Sequence, residues 1–161
     1  MHVIKYLLIA LCLFTSSCVR KQDDPAIVQA RIRSMQTHTF VGHDGKKVIK
    51  EILAILQDEG YMIKNVSSDF GLLTAELDTN IEKFSSKFWA YLFSGKRARW
   101  KKHSVLEMTS NVTEEGNKTK VRINFLMRIY DNLGRVVDVH QIMNEEAYQD
   151  IFVRIQRGLL S

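Results

Sequence analysis

A regular alternation of apolar and polar side chains between residues 120 and 130 constrains the fold of this 161-residue chain more than any other feature. Every second position is apolar, and basic or amide side chains occupy most of the positions between; the apolar set is Val121, Ile123, Phe125, Met127 and Ile129. Successive side chains of a strand point to opposite faces, so this pattern predicts a strand with one buried and one solvated face. Such a strand is typical of an antiparallel sheet that leaves one face open to water.

Other strands are predicted where short apolar or Thr-rich runs are bounded by turn residues; they cover 31–41, 61–66, 72–77, 104–113 and 136–142. Helices are predicted where apolar residues recur every three to four positions; they cover 44–59, 81–93 and 144–158. The order β-α-β-β-α-β-β-β-α predicts an α+β fold. We expect a single two-layer domain, with an antiparallel sheet of about six strands and helices packed on one face.

Turn and capping residues set the expected element boundaries. Asp44 is a plausible N-cap, Asn144 opens the last helix, and Gly60 and Gly158 follow helical stripes that they can end. The segment 115–118 has the composition of a turn between two antiparallel strands, and 131–134 that of a second turn. With 45% apolar and 25% charged residues, the chain is neither disordered nor a polytopic membrane protein.

The N-terminus has the pattern of a secretory signal. Lys5 supplies the positive charge, a run of about nine apolar residues follows from Tyr6, and Thr15-Ser16-Ser17 leads directly into Cys18. The apolar run is too short for a transmembrane helix, which needs about 20 residues. The arrangement resembles a bacterial lipobox, although Thr15 stands where Leu is usual. An ordinary secreted protein with a free Cys18 is the alternative.

The resemblance to lipoproteins implies that the signal peptide (1–17) is removed and that Cys18 is acylated. Cys12 leaves with the signal, so Cys18 has no intramolecular partner and neither a disulfide nor a cysteine-based metal site is expected. Val19 stands where an Asp usually retains a Gram-negative lipoprotein in the inner membrane. The implied localisation is therefore the periplasmic face of the outer membrane. Residues 18–30 are predicted to form a tether, followed by the domain 31–161.

Four stretches of the mature chain resemble a family of uncharacterised Gram-negative lipoproteins; they are Met35-Gln36-Thr37 and residues 55–61, 69–75 and 148–152. A second pattern consists of a helix, then Gly-Tyr, an apolar strand and Asp-x-Gly-Leu-Leu-Thr-Ala at residues 69–75. It more faintly resembles small α+β domains of accessory lipoproteins in outer-membrane assembly machines. The resemblance implies a single-domain lipoprotein and brings no activity with it, because fold analogy does not transfer function.

Catalytic and metal-binding motifs are missing from the sequence. There is no HExxH, CxxC, GxSxG or glycine-rich phosphate loop, and none of the mature histidines lies four residues from another on a predicted helix. We therefore expect no enzyme, no metal and no cofactor. Export to the periplasm also makes nucleic acid an improbable partner.

An aromatic and basic segment, residues 84–103, stands out. It could contact a membrane or another polyanion through aromatic residues at the edge of the predicted helix's apolar stripe and through the basic loop that follows. The residues concerned are Trp89, Phe93, Lys96, Arg97, Arg99, Trp100, Lys101 and Lys102. Alternatively, the apolar stripe of the helix 81–93 packs against the sheet and the bases form a solvated loop.

The solvated sheet face is a second candidate surface, for a protein partner; its residues are Thr109, Asn111, Arg122, Asn124 and Arg128. A sheet edge is an equally good docking mode, and a plain solvated face is the alternative to both. The sequence thus predicts a non-enzymatic outer-membrane lipoprotein, a structural or accessory subunit that binds envelope proteins through a sheet face or edge. The alternative function is a lipid- or envelope-polymer-binding module that uses residues 84–103. The sequence leaves the partner's identity and the oligomeric state open.

Overall fold

The computed structural model describes residues 24–79, 103–131 and 133–161. The helices in these ranges are α1 (Pro25–Met35), α2 (Gly45–Asp58) and α3 (Glu145–Leu160). The strands are β1 (Thr37–Val41), β2 (Met62–Ser67), β3 (Leu72–Thr79), β4 (Ser104–Glu115), β5 (Lys118–Tyr130) and β6 (Val136–Gln141). The predicted α+β two-layer architecture and six-stranded antiparallel sheet are confirmed for the described residues.

The sheet is ordered β1-β5-β4-β3-β2, and β6 also pairs with β5. β1 lies opposite residues 118–122 of β5, and β6 lies opposite residues 126–130. The two strands therefore lie end to end along the same edge of β5. Where they meet, the N–H of Ile123 donates to the carbonyl of Gln36 (2.9 Å) and that of Ile142 donates to Phe125 (2.9 Å).

The hairpin of β4 and β5 is the longest pairing of the sheet. It is closed by Gly116 and Asn117, since Glu115 pairs with Lys118. Gly116 has φ +62°, which suits the first position of a tight two-residue turn. The turn predicted over 115–118 is confirmed.

The core lies between the sheet and α2 and α3. The alternating apolar residues of β5 are all buried, as predicted, and so are the inner stripes of the two helices; the stripes are Val48, Ile49, Ile52 and Leu56, and Tyr148, Ile151, Phe152 and Ile155. Asp44 caps α2 by accepting from the N–H of Lys47 (2.7 Å), and Asn144 caps α3 by accepting from that of Ala147 (3.0 Å). Both helix starts agree with the prediction.

The strand predicted over 31–41 is confirmed only for its second half. The strand expected from residue 31 begins only at Thr37, and α1 occupies residues 25–35, partly within the expected tether. Asp24 accepts from the N–H of Ala26 (2.9 Å) and Pro25 occupies the first turn, so the helix has a strong start signal. Ile32 is its one buried residue, and a helix that buries so little shows almost no apolar stripe. The helix predicted over 81–93 lies outside the described residues.

Candidate functional site

The five side chains predicted to form a partner-binding surface lie on one face of β4 and β5. Thr109 is directly opposite Asn124, and Asn111 is directly opposite Arg122. They alternate with buried residues that face α2 and α3, so they lie on the sheet face turned away from those helices. We call this surface the open face. The structure places these residues side by side on this face, whereas their binding role stays a prediction.

Ion pairs fix the charged side chains on this face. Arg128 Nη2 lies 2.7 Å from Glu107 Oε2, and the Glu107 side chain is only 12% exposed. Glu107 is opposite Glu76, whose carboxylate lies 3.0 Å from Lys64 Nζ. Each carboxylate of this neighbouring pair thus has its own cation. Glu107 of the same chain consequently holds the Arg128 side chain in place. This preorganises the guanidinium and also reduces its freedom to bind another anion.

A hydrogen-bonded network fills the junction between β1 and β6. Asn124 Oδ1 accepts from Gln36 Nε2 (3.0 Å) and from Gln141 Nε2 (2.9 Å), so three side chains lock together at this point of the open face. Behind them the Tyr148 hydroxyl donates to the carbonyl of Ile142 (2.9 Å). Burial raises the pKa of Tyr148, and hydrogen bonds from Gln36 and from the backbone N–H of Phe125 partly offset that rise.

Arg122 differs from Arg128 in being exposed. Its Nε makes a long hydrogen bond of 3.4 Å to Thr37 Oγ1. Asn111, its cross-strand neighbour, is also exposed, and its Oδ1 accepts from Thr113 Oγ1 (3.0 Å). Arg122 can therefore donate to an incoming carboxylate or carbonyl.

The outer edge of β6 is a surface that the sequence analysis did not single out. Three of its residues, Val136, Val137 and Val139, are about half exposed, and Leu133 and Met143 extend the apolar surface at either end. In the described part of the chain, β6 pairs with β5 alone. Val136 and Val137 were the sequence signal for this exposed apolar surface, because adjacent residues of a strand ordinarily point to opposite faces and both of these are apolar.

A groove of about 410 Å³ lies between the start of α2 and the β2–β3 turn. Phe70 at its rim is 76% exposed, while Ile49 and Val112 contribute apolar lining. The Glu114 carboxylate, also in the lining, accepts a hydrogen bond from the N–H of Gly45 and so satisfies the first turn of α2 from within the chain.

Several predicted functional residues lie outside the described residues. These are the acylation site Cys18 and the membrane or polyanion contacts Trp89, Phe93, Lys96, Arg97, Arg99, Trp100, Lys101 and Lys102. Over residues 24–79, 103–131 and 133–161, no three His, Cys, Asp or Glu side chains gather as a metal site would require. None of the helices in those ranges has the length and apolar run needed to cross a membrane.

No model of a known protein family matches this chain, and no curated protein matches it. The resemblance to a family of lipoproteins accordingly stays a prediction that depends on the quoted stretches.

Proposed function

We propose that the protein is a non-enzymatic lipoprotein of the outer membrane that faces the periplasm and binds envelope proteins through the open face of its sheet. The lipid at Cys18 fixes its position, and the α+β domain presents the binding surface. The partner surface we expect is polar and carries acceptor groups, because Arg122 and the neighbouring amides mainly offer donors.

The observation that carries this proposal is the preorganisation of the open face. Glu107 holds Arg128, while Gln36 and Gln141 hold Asn124. A surface whose side chains are already fixed loses less conformational entropy when a partner binds. A face that merely meets water has no need of such order, and exposed ion pairs alone contribute little to stability.

The position of α1 supports a tethered mode of action. This helix begins at Pro25, so only residues 18–24 separate it from the predicted lipid. Seven residues span at most about 25 Å when fully extended. The domain would then stay near the membrane surface, where it meets partners that are embedded in or attached to the same membrane.

A crosslinked pull-down from native envelopes tests the proposal, with the full-length protein carrying a C-terminal tag. We expect a small set of envelope proteins in fixed ratio. Arg122→Glu should lower their recovery at least about tenfold, which corresponds to about 1.4 kcal/mol and is modest for an interfacial arginine. Arg157→Glu makes the same charge change on α3 and should leave recovery unchanged.

Equal recovery with both variants would remove the open face from the proposal. Recovery of lipid alone would favour the lipid- or polymer-binding alternative that uses residues 84–103. Cys18→Ser tests the anchor separately, since the variant should no longer sediment with outer membranes.

A further inference from the structure

Over the residues that the structure describes, the outer edge of β6 has backbone groups that pair with no other strand, and their direction can be assigned. The N–H of Ile142 donates to Phe125, so by alternation His140 and Asp138 also direct their backbone groups toward β5. Val139 and Gln141 therefore direct theirs outward, away from β5, whereas Val137 is the extra residue where the pairing register shifts between Ile129 and Tyr130. Edge strands of this kind are ready templates for pairing with another strand.

Asp138 covers the centre of this edge. Its Oδ1 accepts from the N–H of Val139 (2.8 Å), and its Oδ2 lies 2.7 Å from His140 Nε2. The side chains of Asp138 and His140 thus lie on one face of the strand, on either side of Val139, whose backbone groups point outward. The Val139 side chain lies on the opposite face of the strand and is 50% exposed.

We propose that β6 is a self-association edge and that its partner is β6 of a second copy of this chain, paired antiparallel about a two-fold axis at Val139. In this register Val139 lies opposite Val139 of the second copy, and Val137 lies opposite Gln141. Asp138 then lies opposite His140 of the second copy, and the reverse pair forms across the axis. The two sheets join into one continuous sheet.

Charge selects this register over its neighbours. A shift of the axis to Asp138 would place two like carboxylates opposite each other, and a shift to His140 would place the two imidazoles opposite each other. Directly opposed carboxylates destabilise a strand pair, and two opposed imidazoles lack the carboxylate acceptor that each imidazole has in the register at Val139. The axis at Val139 is the only one of the three that pairs acid with imidazole on both sides.

Pairing exchanges contacts that each copy already makes. On pairing, the N–H of Val139 donates to a backbone carbonyl instead of the Asp138 carboxylate, and Asp138 turns from its own His140 to that of the second copy. Six residues on each side form a small interface, so we expect a reversible, concentration-dependent dimer. The inference does not depend on the proposed function, because it uses the outward backbone groups of β6, although the side chains of Val139 and Gln141 lie on the open face beside Arg128 and Asn124.

Disulfide trapping tests the register. In the full chain with Cys12 and Cys18 changed to Ser, Val139→Cys places two thiols across the axis, with Cα atoms about 5.5 Å apart. Val137→Cys is the control, since Val137 is as exposed as Val139. Its two copies are offset by four residues, about 14 Å along the strands, too far for a disulfide.

We expect at least about tenfold more covalent dimer from Val139→Cys than from Val137→Cys under mild oxidation, with unchanged circular dichroism. Equal yields would indicate random collision, and no dimer from either variant would show that the edge does not self-pair; both results overturn the proposal.

A charge exchange gives an independent test by sedimentation of the full chain. His140→Glu should weaken the dimer because it faces Asp138, and adding Asp138→Lys should restore it. A dimer that is insensitive to both changes would rule out this register, as would a wild-type chain that stays monomeric at the highest soluble concentration.

Discussion

Gly71, at the start of β3, is a position where one added methyl group should cost much of the stability of the domain. Its φ is +64°, and a Cβ built there would lie 1.9 Å from the carbonyl oxygen of Val112 on the neighbouring strand. The same two residues share a backbone hydrogen bond of 2.8 Å, from Val112 N–H to the Gly71 carbonyl. Gly71→Ala must therefore push β3 away from β4 at this point.

The cost of Gly71→Ala has three parts. The left-handed conformation costs a non-glycine residue about 1–2 kcal/mol. Loss of the hydrogen bond to Val112 adds about 1 kcal/mol, and displacement of the packed strands adds about 1–3 kcal/mol. We expect a total of about 3–6 kcal/mol, which is a large share of the 5–15 kcal/mol that stabilises a typical domain.

Gly116→Ala is the matched control. Gly116 has φ +62°, and a Cβ there would meet nothing within 4 Å. It should cost only the conformational part, about 1–2 kcal/mol. Both changes restrict the unfolded chain equally, so this effect cancels in the comparison.

Urea unfolding of the purified full chain, followed by circular dichroism, measures both variants. Gly71→Ala should lower the free energy of unfolding by about 2–4 kcal/mol more than Gly116→Ala does. If the two variants lose the same stability, the close approach of Gly71 to Val112 is not a constraint on the fold, and the reasoning fails.

Two further predictions concern the contact between α2 and α3. Arg154→Met should destabilise the domain by about 1–3 kcal/mol in the same urea assay, because the guanidinium pairs with Glu59, a carboxylate that is only 13% exposed; Arg157→Met should change stability by less than about 0.5 kcal/mol. Burial, and secondarily the charge of Glu59, raise the pKa of Tyr61 well above its ordinary value of 10.0. The unfolded chain therefore ionises first, so Tyr61 contributes stability that is complete below pH 10 and is lost as the pH rises toward its folded-state pKa. Tyr61→Phe should flatten the alkaline loss of stability above pH 10, and an unchanged alkaline limb would contradict this.

Periodicity predicted the elements that bury a continuous stripe. β5, α2 and α3 each bury one side, and this one-sided burial is visible in the sequence as a regular repeat of apolar residues. α1 was missed because only Ile32 is buried, so its existence depends on the cap at Asp24 and on Pro25. Local start signals of this kind were present in the sequence but were outweighed by the expectation of a polar tether.

The open face was predictable because it is the complement of the buried alternation in β5. The network at Asn124 was not, since Gln36 and Gln141 reach it only because β1 and β6 share one edge of β5. Strand order depends on contacts between residues far apart in sequence, and no local pattern encodes it. The outward direction of Val139 was hidden for the same reason.

The pairing of β1 with β5 also has a consequence for the order of folding. Thr37 pairs with Arg122, so the first strand of the domain has no partner until most of the chain has been synthesised. The β4–β5 hairpin, by contrast, needs only a two-residue turn. Closing a long loop costs more entropy than closing a hairpin and slows folding. We therefore expect the hairpin to form early and β1 to dock last, so that a chaperone acting before that step would find the N-terminal strand still accessible.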